Sequence, residues 1–329
     1  MPRLTKLQTT RNSLLNWLFQ DKDPSLKDNP GFIFDMFVDH LEASYSEWKV
    51  EGKSQDITLQ LFKAPDYDTP LLRPIIDMKR ELELSDVFSH FLIHGSCADL
   101  NIVEGWSDFD SIAVLKASSL QKENRQKTYR LCLKLGQMMR LLDPYQHHGI
   151  HFIHQKELLS FPNLYLPVNL LGDSKCLLGS QILPIGKCNS SAEERARFHG
   201  IVSTLSDGGQ SGIFKHHAKD GKYLLENYKD NQAMYQLKYF LCVIMLLPTL
   251  WFNLRGDYCR KEDSYEKIRS HFSVEQLEIL ESSSRVRSSW KSSYFNGDTI
   301  PDEVRNILGM NYLARGSRFA KMLEDHLDT

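Results

Sequence analysis

Two mostly apolar segments, Phe88 to Ile93 and Phe109 to Leu115, are joined by a polar stretch that opens on Gly95-Ser96, and the second segment begins within Asp108-Phe109-Asp110. Each run is short, lacks Pro and is bounded by turn-forming residues, which is the pattern of a buried strand. Few folds accept this order of elements. One strand must end on a residue pair small enough for close backbone approach, and the next must open on two carboxylates. In a strand, residues i and i+2 share a face, so Asp108 and Asp110 are expected side by side. Two adjacent carboxylates repel unless a positive group sits between them. A hard divalent cation such as Mg²⁺, carrying the phosphates of a nucleotide, meets that need with oxygen ligands alone.

The rest of the chain bounds what surrounds this motif. With 329 residues there is room for two ordinary domains. A formal charge of −2 predicts no general attraction to nucleic acid or to an anionic membrane, although a local basic patch would suffice for one nucleic-acid end. The six cysteines, at 97, 132, 176, 188, 242 and 259, form no Cys-x-x-Cys pair and no zinc-like cluster with histidine. Buried free thiols in a reducing compartment are expected. The N-terminus lacks the uninterrupted apolar core of a secretion signal. The longest apolar run, Phe240 to Phe252, contains Pro248 and falls short of the roughly 20 residues that span a bilayer. A cytoplasmic protein without a membrane partner is expected.

Along the chain, Leu4 to Phe19 and Phe32 to Trp48 have helical periodicity, separated by Asp23-Pro24 and Asn29-Pro30. A short strand is expected within Ile57 to Phe62, and helices over Pro70 to Leu84 and Ser119 to Leu142. A third strong strand is expected over His148 to Ile153. Asn163 to Pro184 reads as loop-rich, with Gly172, Gly179 and Pro184. Beyond about residue 190 the pattern turns helical, over Ala192 to Ser203, Lys219 to Leu250, Ser264 to His271, Val274 to Trp290 and Pro301 to His326. The apolar helix is expected to kink or end near Pro248. A helix cap is expected near Asp263. The expected division is therefore an α/β domain over 1–185 and a helical domain over 186–329.

Gly95-Ser96 after a strand, followed by Asp108-x-Asp110 at the start of the next, resembles the nucleotidyltransferase superfamily related to DNA polymerase β. The resemblance covers roughly residues 85 to 160. It implies an α/β (α+β) domain with a short mixed sheet, plus a C-terminal all-helical domain that closes the nucleotide cleft. It implies that Gly95 and Ser96 seat the phosphates of a nucleoside triphosphate, ATP by default. Asp108 and Asp110 would bind Mg²⁺ and serve catalysis. The reaction implied is transfer of a nucleoside monophosphate to a hydroxyl, with release of pyrophosphate. The acceptor stays open among a small molecule, a protein and a tRNA end.

The family often has a third carboxylate on a later strand. The corresponding segment here, Gln146 to His154, holds His147, His148, His151 and His154 and no acid. Three arrangements are open. A histidine such as His151 could act as the base, because neutral imidazole accepts a proton near pH 7. Glu157 or Asp143 could reach in. Or the chain binds nucleotide without transferring it, in a regulatory role. For the triphosphate, the helical half offers Lys238, which interrupts an apolar stretch and so needs a partner. It also offers Lys219, Lys222, Arg255, Arg260 and Lys261. The layout of Pro248, Gly256, Lys261 and Ser264-Tyr265 is similar to the C-terminal domain of small bacterial nucleotidyltransferases, including the aminoglycoside-modifying group. The spacings from Arg260 and from Arg269 to His271 do not match the Arg-x₄₋₆-His motif of helical HEPN ribonucleases, so nuclease activity is not expected.

Overall fold

A computed structural model describes residues 54–142, 150–155, 158, 171–186, 191–212, 214, 232–296 and 299–327. The expected N-terminal helices, the Asp143, His147, His148, Glu157, Lys219 and Lys222 positions, and Cys188 lie outside them. The described residues fall into two compact units. One comprises those of Met1–Ile102 and Ser107–Cys188; the other comprises those of Val103–Trp106 and Asn189–Thr329.

The first unit is mixed α/β. Its strands are β1 (Ser54–Thr58), β2 (Gln60–Leu61), β3 (Phe88–Ile93), β4 (Ser111–Leu115), β5 (His151–His154), β6 (Lys175–Leu178) and β7 (Ile182–Gly186). Five of them form a mixed sheet in the order β2-β6-β3-β4-β5, and β1 pairs with β7 in a separate antiparallel ribbon. Its helices are α1 (Arg73–Glu83), the single turn α2 (Ser96–Asp99) and α3 (Arg125–Leu142).

Alternation along the strands divides the apolar residues between two faces. Phe91, Ile93, Ala113, Leu115, Phe152 and Leu177 meet α1 and α3 in one core. Leu92, Ile112, Val114, Ile153 and Cys176 meet Leu183 and Ile185 of the ribbon in another. Helix α1 begins with Pro74 in its first turn, where the missing N–H costs nothing, and buries Ile75, Met78 and Leu82 at helical spacing. In α3, Leu131, Cys132, Leu135 and Met139 do the same.

Several local expectations need correction. Asn163 to Pro184 reads as loop-rich, yet β6 lies within it and β7 begins there, with Gly179 at the turn between them. Pro184 is tolerated because, among the described residues, β7 pairs with β1 alone and is an edge strand. The second strong strand starts at Ser111, so both aspartates precede it. Helix α3 starts at Arg125, after a 3-10 turn over Ala117–Leu120.

The second unit is helical, with α4 (Ser191–Ser211), α5 (Gln232–Leu254), α6 (Lys261–Ile268), α7 (Val274–Ser288), α8 (Asp302–Leu308) and α9 (Tyr312–Asp325). No strand occurs in it among the described residues. Facing glycines let its helices approach closely. A Cβ on Gly209 would lie 2.6 Å from the Ser317 Cβ, and one on Gly316 would lie 2.6 Å from the Phe240 ring. Within the same unit, Trp106 packs edge-on against Trp290 with ring centroids 4.8 Å apart.

Helix α5 does not end at Pro248 but runs on to Leu254, because burial of Leu250, Trp251 and Phe252 outweighs one missing hydrogen bond. Its stretch Gln236–Leu254 is, by length and composition alone, long and apolar enough to cross a membrane, and most of it is buried within the protein. Helix α6 starts at Lys261, with Arg260 as its N-cap and no side-chain cap. The segment from Pro301 to His326 is two helices, divided at Gly309, whose φ of 73° a helix cannot continue through.

Candidate functional site

The antiparallel pairing of β3 and β4 sets Ile93 opposite Ser111. The His94 N–H donates to the Asp110 carbonyl at 3.0 Å and carries the pairing one step further. The residues just after β3 and just before β4 are therefore neighbours. Gly95 has φ 64° and ψ −151°, a region of backbone space open essentially to glycine alone. A Cβ there would lie 2.7 Å from the Asp110 Oδ2, so the carboxylate rests directly against the glycine. The Gly95 carbonyl accepts the N–H groups of Ala98 and Asp99, which winds Ser96–Asp99 into one turn. Leu100, at φ 59°, ends it. Among the described residues, the N–H groups of Gly95 and Ser96 donate to no protein acceptor.

The turn is held from below. The buried Tyr67 hydroxyl donates to the Cys97 carbonyl at 3.0 Å. Burial, with Cys97, Asp66 and Asp99 nearby, pushes this phenol far above its usual range, so it stays a donor. The Cys97 Sγ lies 3.6 Å from the Asp108 carbonyl and ties the turn to the second half of the motif. Phe109 is fully buried in the helix-side core. The His94–Asp110 bond extends the pairing to Asp110 and turns it to the opposite face, whereas Asp108 precedes the ladder, so the strand alternation expected to set the two carboxylates side by side does not reach it; both residues are half-buried.

Among the described residues, no group of three or more His, Cys, Asp or Glu side chains is placed to hold a metal ion. Two carboxylates are nevertheless a suitable donor set for Mg²⁺, which takes one or two carboxylates and completes its shell with water and substrate phosphates.

The other expected site residues are distributed as follows. His151 opens β5, which runs parallel to β4 and sets it level with Ile112. Alternation places His151 with Ile153 and Ile112, on the face to which Asp110 turns. It lies about 6.6 Å further along and about 4.8 Å across from Asp110 in backbone terms. Lys238 and Lys261 belong to the helical unit. Lys238 is 3% exposed within α5, and Lys261 is exposed at the start of α6. The Lys261 carbonyl accepts from the Ser264 Oγ, which bonds the Thr249 Oγ1 at 2.9 Å. Thr249 is eleven residues beyond Lys238, about 16 Å along the helix. The two lysines therefore stand at different levels of α5 and do not grip one phosphate group together.

Two residues at the motif escaped the sequence reading. Tyr67 lies in a Pro- and Asp-rich stretch with no periodicity, and Lys175 in the stretch read as loop. The only local signal for Lys175 was the short apolar run after it, Cys176-Leu177-Leu178.

No protein-family profile, curated protein or solved structure matches this chain.

Proposed function

We propose that this protein is an Mg²⁺-dependent nucleotidyltransferase. It moves a nucleoside monophosphate from a nucleoside triphosphate, ATP by default, to a hydroxyl of a small molecule, a protein or an RNA end, and releases pyrophosphate. The observation that carries this reading is the seating of the Asp110 carboxylate against Gly95, which joins the two halves of the motif at one end of the sheet.

In this reading the N–H groups of Gly95 and Ser96 receive phosphate oxygens. Asp108 and Asp110 hold Mg²⁺, which supplies charge neutralisation on the triphosphate and on the leaving pyrophosphate. The acceptor hydroxyl oxygen forms the new bond to the α-phosphorus, and the bond to pyrophosphate breaks. His151, on the same sheet face, takes the hydroxyl proton on its imidazole. The described cysteines are all free thiols, which supports a reducing, cytoplasmic setting.

One observation favours a second reading, nucleotide binding without transfer: no third acid joins Asp108 and Asp110 among the described residues. Titration calorimetry with ATP and Mg²⁺, followed by a pyrophosphate-release assay in a cell extract, separates the two. Binding with Mg²⁺-dependent release supports transfer. Binding without release against a broad acceptor panel supports the second reading, and no binding of any nucleoside triphosphate removes both.

A further inference from the structure

The Gly95–Ser96 turn has a cation beside it that belongs to the sheet itself. Lys175 opens β6, and the ladder sets it opposite Ile93, two residues before Gly95. Directly opposed residues share a face, and Ile93 lies in the helix-side core together with Tyr67. The Lys175 ammonium sits 5.3 Å from the centroid of the Tyr67 ring. The hydroxyl of that same ring bonds the Cys97 carbonyl, so Tyr67 spans from the lysine to the turn.

The surroundings of Lys175 differ from those of its neighbours. Lys79, Lys116 and Lys134 of the same unit each pair with a carboxylate, and Lys63, Lys122 and Lys127, which do not among the described residues, are exposed. Lys175 is half-buried, and among the described residues it forms no ion pair. A ring face offsets only part of the solvation that a cation loses on burial. An anion arriving from solution would complete the site. The N–H groups of Gly95 and Ser96, the other donors at this end of β3, likewise have no acceptor among the described residues.

We propose that Lys175 binds the triphosphate of the donor nucleotide at the Gly95–Ser96 turn. The proposal rests on the nucleotidyltransferase reading and adds to it a cation that reaches the turn from the helix side of the sheet, the face opposite the one to which Asp110 turns. The competing role for Lys175 is purely structural, its stem and ammonium covering the Tyr67 ring.

The test uses the full chain with Mg²⁺ and two probes, inorganic tripolyphosphate and a non-hydrolysable ATP analogue. In the unaltered protein, amine-directed labelling of Lys175 should fall when tripolyphosphate is added, while labelling of Lys116 stays the same. In Lys175→Gln the affinity for the ATP analogue should weaken roughly 10- to 100-fold, the loss of one charge-assisted contact. AMP binding should change little, and Lys175→Arg should recover most of the lost affinity. Unchanged labelling of Lys175 in a protein that does bind the analogue overturns this proposal alone. So does a folded Lys175→Gln that binds the analogue as tightly as the unaltered protein. Failure of the unaltered protein to bind any nucleoside triphosphate overturns the nucleotidyltransferase reading, and this proposal with it.

Discussion

The Asp110 carboxylate occupies the space that a side chain on Gly95 would need, with Oδ2 2.7 Å from the position of a Cβ there. The backbone of Gly95 adds a second constraint, since φ 64° with ψ −151° excludes other residues on its own. Gly95→Ala should therefore both strain the turn and displace Asp110. The expected loss is of the order of 1–3 kcal/mol in denaturant unfolding, together with loss of Mg²⁺-dependent nucleotide binding. An alanine variant of unchanged stability and binding would show that this contact is dispensable.

Asp108→Asn and Asp110→Asn should each abolish nucleotidyl transfer without unfolding the protein. Both side chains are half-buried, and the core contact of the motif is made by Phe109 between them. Asn keeps the size and shape of Asp, so thermal melts in the presence of a chelator should give a melting temperature close to that of the unaltered chain. A clear fall would mean that the aspartates have a structural rather than a metal-binding role.

Tyr67→Phe removes the hydroxyl that donates to the Cys97 carbonyl and leaves the ring in place. A buried acceptor that loses its donor costs about 1–3 kcal/mol. Because the ring remains under Lys175, affinity for the ATP analogue should fall much less than in Lys175→Gln. Paired unfolding and binding measurements on the two variants check this separation.

His90 lies on β3 beside Gly179, where a Cβ would come within 2.7 Å of its ring. Burial holds this imidazole below its ordinary pKa of 6.5, and a backbone hydrogen bond at Ile182 only partly opposes the shift. The unfolded chain then binds the proton more readily than the folded one. The His90 contribution is complete above pH 6.5 and is lost as the pH falls from there toward the lower folded-state value. Unfolding free energies measured from pH 7.5 to 5 should decline in the unaltered protein and decline less in His90→Phe. Parallel curves would assign the pH dependence to other groups.

Strand β3 is legible in the sequence because Phe88 to Ile93 is a mostly apolar run, interrupted only by Ser89 and His90 and closed by Gly95. The helical character of the second unit is equally plain, since periodicity over many turns is a strong signal. What local pattern could not convey was pairing. Strands β6 and β7 are four and five residues long and lie among Gly172, Gly179 and Pro184, each of which also marks turns. Their strand character comes from ladders to β3 and β1, which are distant in sequence. Lys175 was hidden for the same reason: its nearness to Ile93 is a matter of register, and register is set by the whole sheet. The pairing of Gly95 with Asp110 could be anticipated because one hairpin-like connection brings them together. The levels of Lys238 and Lys261 along α5 could not, because they depend on how α6 folds back through Ser264 onto Thr249.

The central claim is tested most directly by comparing two labels on the same nucleotide. The unaltered protein, Asp110→Asn and Lys175→Gln are each incubated with Mg²⁺, a cell extract and ATP labelled at either the α- or the γ-phosphate, and the macromolecules and metabolites are then separated. The account predicts that the unaltered protein carries α label, and not γ label, to an acceptor, and that Asp110→Asn carries neither. Transfer of γ label, or α transfer retained by a folded Asp110→Asn, would contradict it.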